Sequence, residues 1–178
     1  MSKPAFKIEL KSIRTNERFS RETNCFTADV WIDGEKIAYA ENDGNGGCTF
    51  INAYEGKVEK LREIEAWAKA QPKIKSESLD FEFDSSLDYI VDDMIEKHII
   101  EKFAKNNERK MANDMKKGLC TRGAKHDEGS YSIITWKGHT IESLLAMPKG
   151  IEAVQNAVNK ALAAGDTILN TNLKGIKI

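Results

Sequence analysis

Apolar and polar residues alternate along the first third of the chain, as they do in strands with one buried face. The alternation runs through residues 5–13 and through residues 26–41, where Asp33-Gly34 interrupts it. Because Asp and Gly tolerate the positive φ angles of a type I′ turn, this pair predicts a β-hairpin. Residues 48–53 predict one more strand. Together these segments predict a sheet of about four mostly antiparallel strands.

The turn also predicts which hairpin residues face each other. Counting outward from Asp33-Gly34 places Val30 opposite Ile37 and Phe26 opposite Glu41, a register that gathers apolar residues on one face. The predicted core face consists of Phe26, Ala28, Val30, Ile37 and Tyr39. The opposite face is partly polar, and we expect it to meet solvent or a partner. It carries Cys25, Thr27, Asp29, Trp31, Lys36 and Asn42.

Helical spacing of apolar residues replaces the alternation in the rest of the chain. It predicts a helix over residues 57–71 that covers the sheet, and a long helix from Ser85 or Ser86 to Lys117, with a break near Asn106-Asn107 as the alternative. A second hairpin, two further helices and a closing strand are predicted over residues 119–122 and 130–136, 140–146 and 148–164, and 167–169 respectively.

The predicted fold class is therefore α+β. An N-terminal antiparallel sheet, made of a β-hairpin and flanking strands, is covered by a helix. A helical middle and a small C-terminal portion of hairpin plus helix follow. We place the domain boundary after residue 76, with a sheet-plus-helix lobe over 1–76 and a helical and small α+β portion over 77–178. One compact domain over the whole chain is the alternative.

Composition describes an ordinary soluble protein. The 178 residues have a net charge of −1 and a charged fraction of 31%. No apolar run approaches the roughly 18 residues that span a bilayer, and the first residues lack the apolar region of a signal peptide. Three cysteines form no disulfide framework, which is typical of a reducing compartment. We expect a cytoplasmic protein in a bacterial cell, without a membrane contact; its oligomeric state stays open.

The glycine-rich loop after the hairpin is the first candidate site. Its backbone N–H groups could bind an anion, and its polar side chains could hold a cation or another small ligand. Cys25, brought near Cys48 by the predicted register, offers a thiol pair. A structural turn explains the same residues without any ligand. The candidate ligand-binding residues are Asn42, Asp43, Asn45, Gly46, Gly47 and Cys48.

A basic segment is the second candidate site, and it follows a stretch, residues 77–96, that is acidic and has no lysine or arginine. It could face a partner or a phosphate backbone, although a solvated helix with internal ion pairs has the same composition. The candidate residues are Lys102, Lys105, Arg109, Lys110, Lys116, Lys117, Arg122 and Lys125.

We predict no catalytic residue, metal or cofactor. His126, followed by two carboxylates in the second hairpin's turn, could act as a base or bind a metal, but a charged turn accounts for it equally. The three histidines are far apart and no pair has the spacing of zinc ligands. No P-loop is present, because no Gly-Lys-Ser/Thr follows the glycines.

Two pieces of the sequence resemble a known group of proteins: CFTADVWIDGEKIAYAENDGNGG, and LCTRGAKHDEGSY after the long helix. They resemble small proteins encoded by bacteriophages and prophages, in which a hairpin ending in Asn-Asp-Gly-x-Gly-Gly precedes a helical segment and a second hairpin. That group has no established activity, so the resemblance assigns no role to any residue.

Three functions compete at this point. The first is a non-enzymatic binding protein of phage or mobile-element origin that blocks or sequesters a host component, such as a defence system. The segregated acidic and basic stretches suit a protein partner. The second is a small hydrolase or nucleotide-acting enzyme that uses Asp43, Cys25, Cys48 or His126. The third is a nucleic-acid-binding module that uses the basic segment.

Overall fold

The computed structural model describes residues 6–75, 81–127 and 129–178 and confirms the α+β class. A four-stranded antiparallel sheet comes first, followed by helices and then by a small sheet with a helix. The elements in order are β1 Ile8–Thr15, β2 Phe26–Ile32, β3 Glu35–Asn42, β4 Phe50–Ala53, α1 Val58–Lys69, β5 Ile74–Lys75, β6 Glu82–Phe83, α2 Leu87–Lys117, β7 Gly118–Arg122, β8 Ser132–Thr135, α3 Ile141–Leu145, α4 Pro148–Ala163 and β9 Thr167–Ile168.

The chain divides into two compact units within α2, between Glu101 and Lys102. The predicted boundary, after residue 76, lies earlier in the chain and outside the described residues. α2 is one α-helix of 31 residues and continues through Asn106-Asn107, where a break was the alternative. No helix in the described part of the chain is long and apolar enough to cross a membrane.

The core of the first unit lies on one side of its sheet. β1 to β4 follow each other as neighbours, so the sheet is a simple meander. The buried side chains of β2 and β3 pack with those of α1 and of the start of α2. Helix α1 contributes Leu61, Ile64 and Ala68, whose spacing of three and four residues places them on one helix face. The predicted cover of the sheet by this helix is therefore confirmed.

The hairpin turn forms as predicted, but the register beyond it differs. Asp33 and Gly34 have φ angles of 51° and 84°, as a type I′ turn requires. The ladder then shifts by one residue between Val30 and Trp31, so Val30 pairs with Ala38 and not with Ile37. A β-bulge of this kind adds one residue to one strand. Each residue of that strand beyond the bulge then has a different cross-strand partner and points to the other face of the sheet.

The shifted register corrects the predicted core face. Ile37 and Ala38 are adjacent in sequence and both fully buried, which strict alternation does not allow. Phe26 pairs with Asn42 and not with Glu41. Tyr39 pairs with Asp29 and shares its face of the sheet, opposite to the core face on which we had placed it. Asn42 moves the other way, from the predicted polar face to a buried position.

The second unit has its own core and a three-stranded sheet in the order β8-β7-β9. The predicted second hairpin is β7 with β8, and the predicted closing strand is β9, antiparallel to β7. Thr140 caps α3 through a reciprocal capping box with Ser143. Asn170, which is 7% exposed, accepts a hydrogen bond from the Cys120 N–H and donates to the carbonyls of Met115 and Gly118. It thereby holds the last segment of the chain against β7.

Candidate functional site

The glycine-rich loop is a hydrogen-bonded corner organised by the side chain of Asn42, which is only 5% exposed. Its Oδ1 accepts from the Thr23 hydroxyl at 2.8 Å and from the Gly44 N–H at 2.9 Å. Its Nδ2 donates to the Gly47 carbonyl at 3.0 Å and to Thr49 Oγ1 at 3.2 Å. Both lone pairs and both protons of the amide are thus used, as a buried amide requires.

The loop's own N–H groups are also engaged. The Asn45 N–H donates to Asp43 Oδ1 at 3.0 Å, which lowers the pKa of that carboxyl, and the Gly46 N–H donates to Thr23 Oγ1 at 3.3 Å. With the Gly44 N–H donating to Asn42, three of the backbone N–H groups proposed to bind an anion already have partners within the folded chain. Gly44 has a φ of 85°, and an added Cβ would lie 2.1 Å from the Phe19 carbonyl oxygen. This geometry favours the structural-turn interpretation over ligand binding.

The corner is tied to α2 through one carboxylate. Thr49 Oγ1 donates to Asp92 Oδ1 at 2.5 Å while accepting from Asn42. Burial raises the pKa of Asp92, and the hydrogen bond from Thr49 opposes that change. A depression of about 190 Å³ beside it is lined by Asp92, Asp93 and Glu96. No group of three or more histidine, cysteine or acidic residues in the described ranges could hold a metal ion.

The two cysteines of the thiol hypothesis lie in different surroundings. Cys48 is exposed in the loop, and Cys25 is half-buried just before β2. Both thiols are free. The backbone N–H of Cys25 donates to Ser20 Oγ at 2.9 Å and so fixes the chain entering β2.

The other face of the same sheet lies opposite to α1 and the start of α2, and we call it the open face. Its side chains are half-buried or exposed, whereas the side chains of β2 and β3 that point the opposite way are buried. Cross-strand pairing sets its side chains in three rows across the sheet. The rows are Glu9, Trp31 and Lys36; Lys11, Asp29, Tyr39 and Asn52; and Arg14, Thr27, Glu41 and Phe50.

Asp29 is the polar centre of the open face. Its Oδ1 accepts a hydrogen bond from the Tyr54 hydroxyl at 2.6 Å and lies 3.0 Å from Lys36 Nζ. The Tyr54 hydroxyl, followed by Lys36 and Ser12, lowers the pKa of Asp29, while the Asp29 carboxylate raises the pKa of Tyr54 and of Lys36. Such a carboxylate stays ionised and is a weak base, and such a lysine stays charged. The cluster can position groups and bind polar partners.

Aromatic rings surround this centre. Lys11 Nζ lies 3.7 Å from the Trp31 ring centroid and Lys36 Nζ lies 4.5 Å from that of Tyr54, so both ammonium groups make cation–π contacts. Phe50 is 66% exposed. The Trp31 indole N–H is buried and has no hydrogen-bond partner in the described part of the chain.

A bulge in β1 shapes the edge of the open face. The β1–β2 register shifts between Lys11 and Arg14, and Ser12 there has a φ of 53°, which is uncommon for a residue other than glycine. The bulge borders a shallow depression of about 300 Å³ that Arg14, Asp29 and Tyr39 help to line. Bulges of this kind re-aim side chains, here toward the open face.

The basic segment is spread along the surface of the second unit. The six residues from Lys102 to Lys117 are exposed on α2, and Lys125 is exposed in the turn after β7. Arg122 Nε donates to the Ser130 carbonyl at 3.1 Å, and Lys117 lies 3.2 Å from Asp114. Arg122 and Lys117 therefore have local structural contacts.

His126 holds its own turn. Its Nδ1 accepts a hydrogen bond from the Gly123 N–H at 2.9 Å, and its Nε2 lies 2.9 Å from Ser132 Oγ. Both ring nitrogens are thus engaged within the hairpin. Glu128, the second carboxylate of the predicted cluster, lies outside the described residues.

A depression of about 600 Å³ in the second unit lies beside α3. Leu145 and Ala146 form its apolar wall, and Lys116 and Lys174 its charged margin. Thr140 and Glu142 also line it, and the Thr140 hydroxyl oxygen accepts a hydrogen bond from the Ser143 N–H at 3.2 Å as the cap of α3.

The polar face of the hairpin was predicted from the sequence, but the full set of side chains on the open face was not. The bulge moved Tyr39 onto it, and Tyr54 joined Asp29 and Lys36, which were both predicted on the polar face, only in the folded sheet. A usable signal was present: Tyr39, Phe50 and Tyr54 follow Trp31 closely in a segment otherwise rich in polar residues. The structure therefore defines an α+β protein with an aromatic and polar sheet face. A scan against protein-family models and searches of curated proteins and of solved structures found no match.

Proposed function

We propose that the chain is a non-enzymatic recognition protein that binds a protein partner through the open face. The observation that carries this proposal is the contrast between the two sides of one sheet. One side is buried under helices, and the other leaves Trp31, Tyr39, Phe50 and Tyr54 accessible to solvent in whole or in part. Tyrosine, tryptophan and arginine are the residues that contribute most to binding energy at protein interfaces.

The charges of the open face favour a protein over a nucleic acid. Three basic residues, Lys11, Arg14 and Lys36, are balanced by three acidic residues, so the net charge of the face is 3 − 3 = 0. The acidic residues are Glu9, Asp29 and Glu41. A surface that binds nucleic acid needs an excess of positive charge to displace counterions from the phosphates.

The chemistry of the candidate groups supports a role in binding. Asp29 is kept ionised by its neighbours, and both His126 nitrogens are engaged in the turn. The thiols of Cys25 and Cys48 are not joined to each other. General acid–base or nucleophilic catalysis needs a group whose pKa is poised near neutrality beside an accessible nucleophile.

The resemblance to phage and prophage proteins extends this proposal, because it indicates that the partner comes from the bacterial host. A small protein of a mobile element that binds without catalysis would act by blocking or sequestering a host component, such as part of a defence system. The partner would then be a bacterial protein, met in the cytoplasm.

The test is native mass spectrometry of the protein purified gently from a bacterial host. We expect a stoichiometric protein mass in addition to the chain, and we expect the variant Tyr39→Ala/Phe50→Ala to lose it. The control is Phe19→Ala, because Phe19 is 58% exposed but lies outside the open face. Circular dichroism verifies that all three proteins are folded.

Three outcomes would contradict the proposal. One is a bare chain from every host lysate, another is a partner that the double variant retains, and the third is an added mass of nucleic acid that disappears with rising salt. The last result would favour the basic segment, and charge reversal at Lys116 and Lys117 would then locate the interface.

A further inference from the structure

The depression beside α3 has the size of a small-molecule site. Its volume of about 600 Å³ lies within the usual range of ligand pockets in proteins, roughly 300–1,000 Å³. All of its lining residues belong to the second unit. They come from three segments that are distant in sequence: the last turn of α2, the segment around α3, and the segment after β9. The depression is therefore separate from the open face, and the function proposed above does not explain it.

The three segments are fixed to one another by contacts of the fold. Asn172 donates from Nδ2 to the Met115 carbonyl at 3.0 Å, which ties the segment after β9 to the end of α2. Leu173, the next residue, is 9% exposed and packs in one cluster with Ile141 and Leu144 of α3. The depression is thus preformed, as most ligand sites are.

The charged side chains of the lining have an excess of one positive charge. Lys116 and Lys174 are exposed, and neither has an ion-pair partner in the described part of the chain. Glu142 is the acidic residue of the lining. Two lysines against one glutamate give a net charge of +1, which is complementary to a single negative charge.

Two neutral groups of the lining can donate further hydrogen bonds. The Thr140 oxygen accepts from the Ser143 N–H at 3.2 Å, so the hydroxyl is held in place while its own proton is not used by that bond. Asn172 uses one Nδ2 proton for Met115 and keeps the second. With the two ammonium groups, these donors suit a carboxylate, which only accepts hydrogen bonds.

The remaining wall is apolar. Leu145 is half-buried and Ala146 is exposed, both at the C-terminal end of α3. An apolar group that packs on these side chains is removed from water, which is favourable in proportion to the area buried. A bare anion would use only the donors of the depression, whereas an anion with an apolar chain would also use this wall.

We propose that the depression binds a small carboxylic acid with an apolar chain. The carboxylate lies between the two lysines and accepts hydrogen bonds from the two neutral donors, and the chain packs on Leu145 and Ala146. Glu142 disfavours a second negative charge on the ligand. A phosphate monoester, which carries nearly two charges at neutral pH, therefore binds less well than a carboxylate with the same chain.

Titration of the full chain with octanoate, followed in two-dimensional amide NMR spectra, tests the proposal. We expect saturable shifts of the signals of Leu145, Ala146 and Asn172, with a Kd in the millimolar range or below because the ligand is small. Acetate lacks the chain, octylamine has the opposite charge, and octyl phosphate has the additional charge. Each of these three probes should bind more weakly than octanoate, and added salt should weaken octanoate binding.

Two variants test the two parts of the site. Lys116→Gln/Lys174→Gln should raise the Kd for octanoate by about tenfold, because it removes both positive charges. Ala146→Glu should prevent saturable binding, because it places a carboxylate on the apolar wall. Lys125→Gln/Lys160→Gln is the matched control: both lysines are exposed in the second unit outside the lining, and this variant should bind like wild type. The spectrum of each variant also verifies that it is folded.

Three results would overturn the proposal. One is wild type without saturable shifts in octanoate, another is acetate, octylamine or octyl phosphate binding as tightly as octanoate, and the third is a Lys116→Gln/Lys174→Gln variant that binds like its control. None of these results bears on the open face, because its residues all belong to the first unit.

Discussion

The two faces of the first unit's sheet come from the same strands but differ in composition and in the contacts that they make. Along β2 the side chains of Ala28 and Val30 are buried against the helices, while Asp29 and Trp31 between them point to the open face. The covered face is aliphatic and its contacts are non-directional. The open face is polar and aromatic, and its contacts are directed hydrogen bonds and cation–π pairs. The comparison indicates that stability and recognition can be changed separately in this sheet.

Removing a buried side chain from the covered face should have the largest effect on stability. Ile64 of α1 is fully buried in the first unit's core. Ile64→Ala should lower the free energy of unfolding by about 2–5 kcal/mol, because it removes apolar contacts and leaves a cavity. Denaturant unfolding measures the change. Phe50→Ala on the open face is the counterpart, and it should stay within about 0.5 kcal/mol of wild type.

The buried amide of the glycine-rich corner should come next. Asn42→Ala leaves the Gly44 N–H and the Gly47 carbonyl without their partner and takes one donor from Thr49. We expect a loss of about 1–3 kcal/mol in the free energy of unfolding, the range for a buried polar group left unsatisfied. Asn52→Ala on the open face provides the comparison. Asn52 is exposed, so an equal loss in both variants would show that Asn42 does not organise the corner.

Local patterns predicted most elements of this fold. Alternation marked β1 to β3, spacing of three and four residues marked α1 and α4, and Asp33-Gly34 marked the type I′ turn. Each of these signals lies within a few residues of the structure that it predicts. The α+β class followed directly from them.

The bulge at Ile37 could not be predicted in the same way. The shift lets both Ile37 and Ala38 enter the core, and their burial against the helices stabilises the shifted register. Local alternation of apolar and polar residues contains no information on burial against the helices. The alternation pattern therefore placed Tyr39 on the wrong face.

The candidate site shows the same limit. The glycines and polar residues of the loop are typical of a ligand-binding loop. Only the contacts of Asn42 with Thr23 and Thr49 show that the polar groups of the corner are hydrogen-bonded to one another. The open-face cluster likewise joins Asp29 to Tyr54, 25 positions away in sequence. Pairings at such separations depend on strand register, which the bulge had altered.

The smallest expected effect is on the pH dependence of the free energy of unfolding. The contributions of two carboxylates, Asp29 and Asp92, should change with pH in opposite directions. The folded-state pKa of Asp29 is below its ordinary value of 3.8, chiefly through the Tyr54 hydroxyl, and that of Asp92 is above 3.8, chiefly through burial. Asp29 therefore stabilises the fold above its unfolded-state pKa, and this contribution is lost as the pH falls through its folded-state pKa. Asp92 destabilises the fold when ionised, and that cost disappears as the pH falls from above its folded-state pKa to below 3.8.

The variants Asp29→Asn and Asp92→Asn measure these two dependences. Relative to wild type, Asp29→Asn should be least stable near neutral pH, and the deficit should shrink as the pH falls to about 3. Asp92→Asn should show the reverse, with its relative stability lowest in acid, where the native carboxyl is protonated. All other titrating groups are common to the variant and wild type, so they cancel in each difference. Two curves with the same slope would mean that the carboxylate on the open face and the one behind the glycine-rich corner lie in equivalent environments, and the contrast between the two faces would fail.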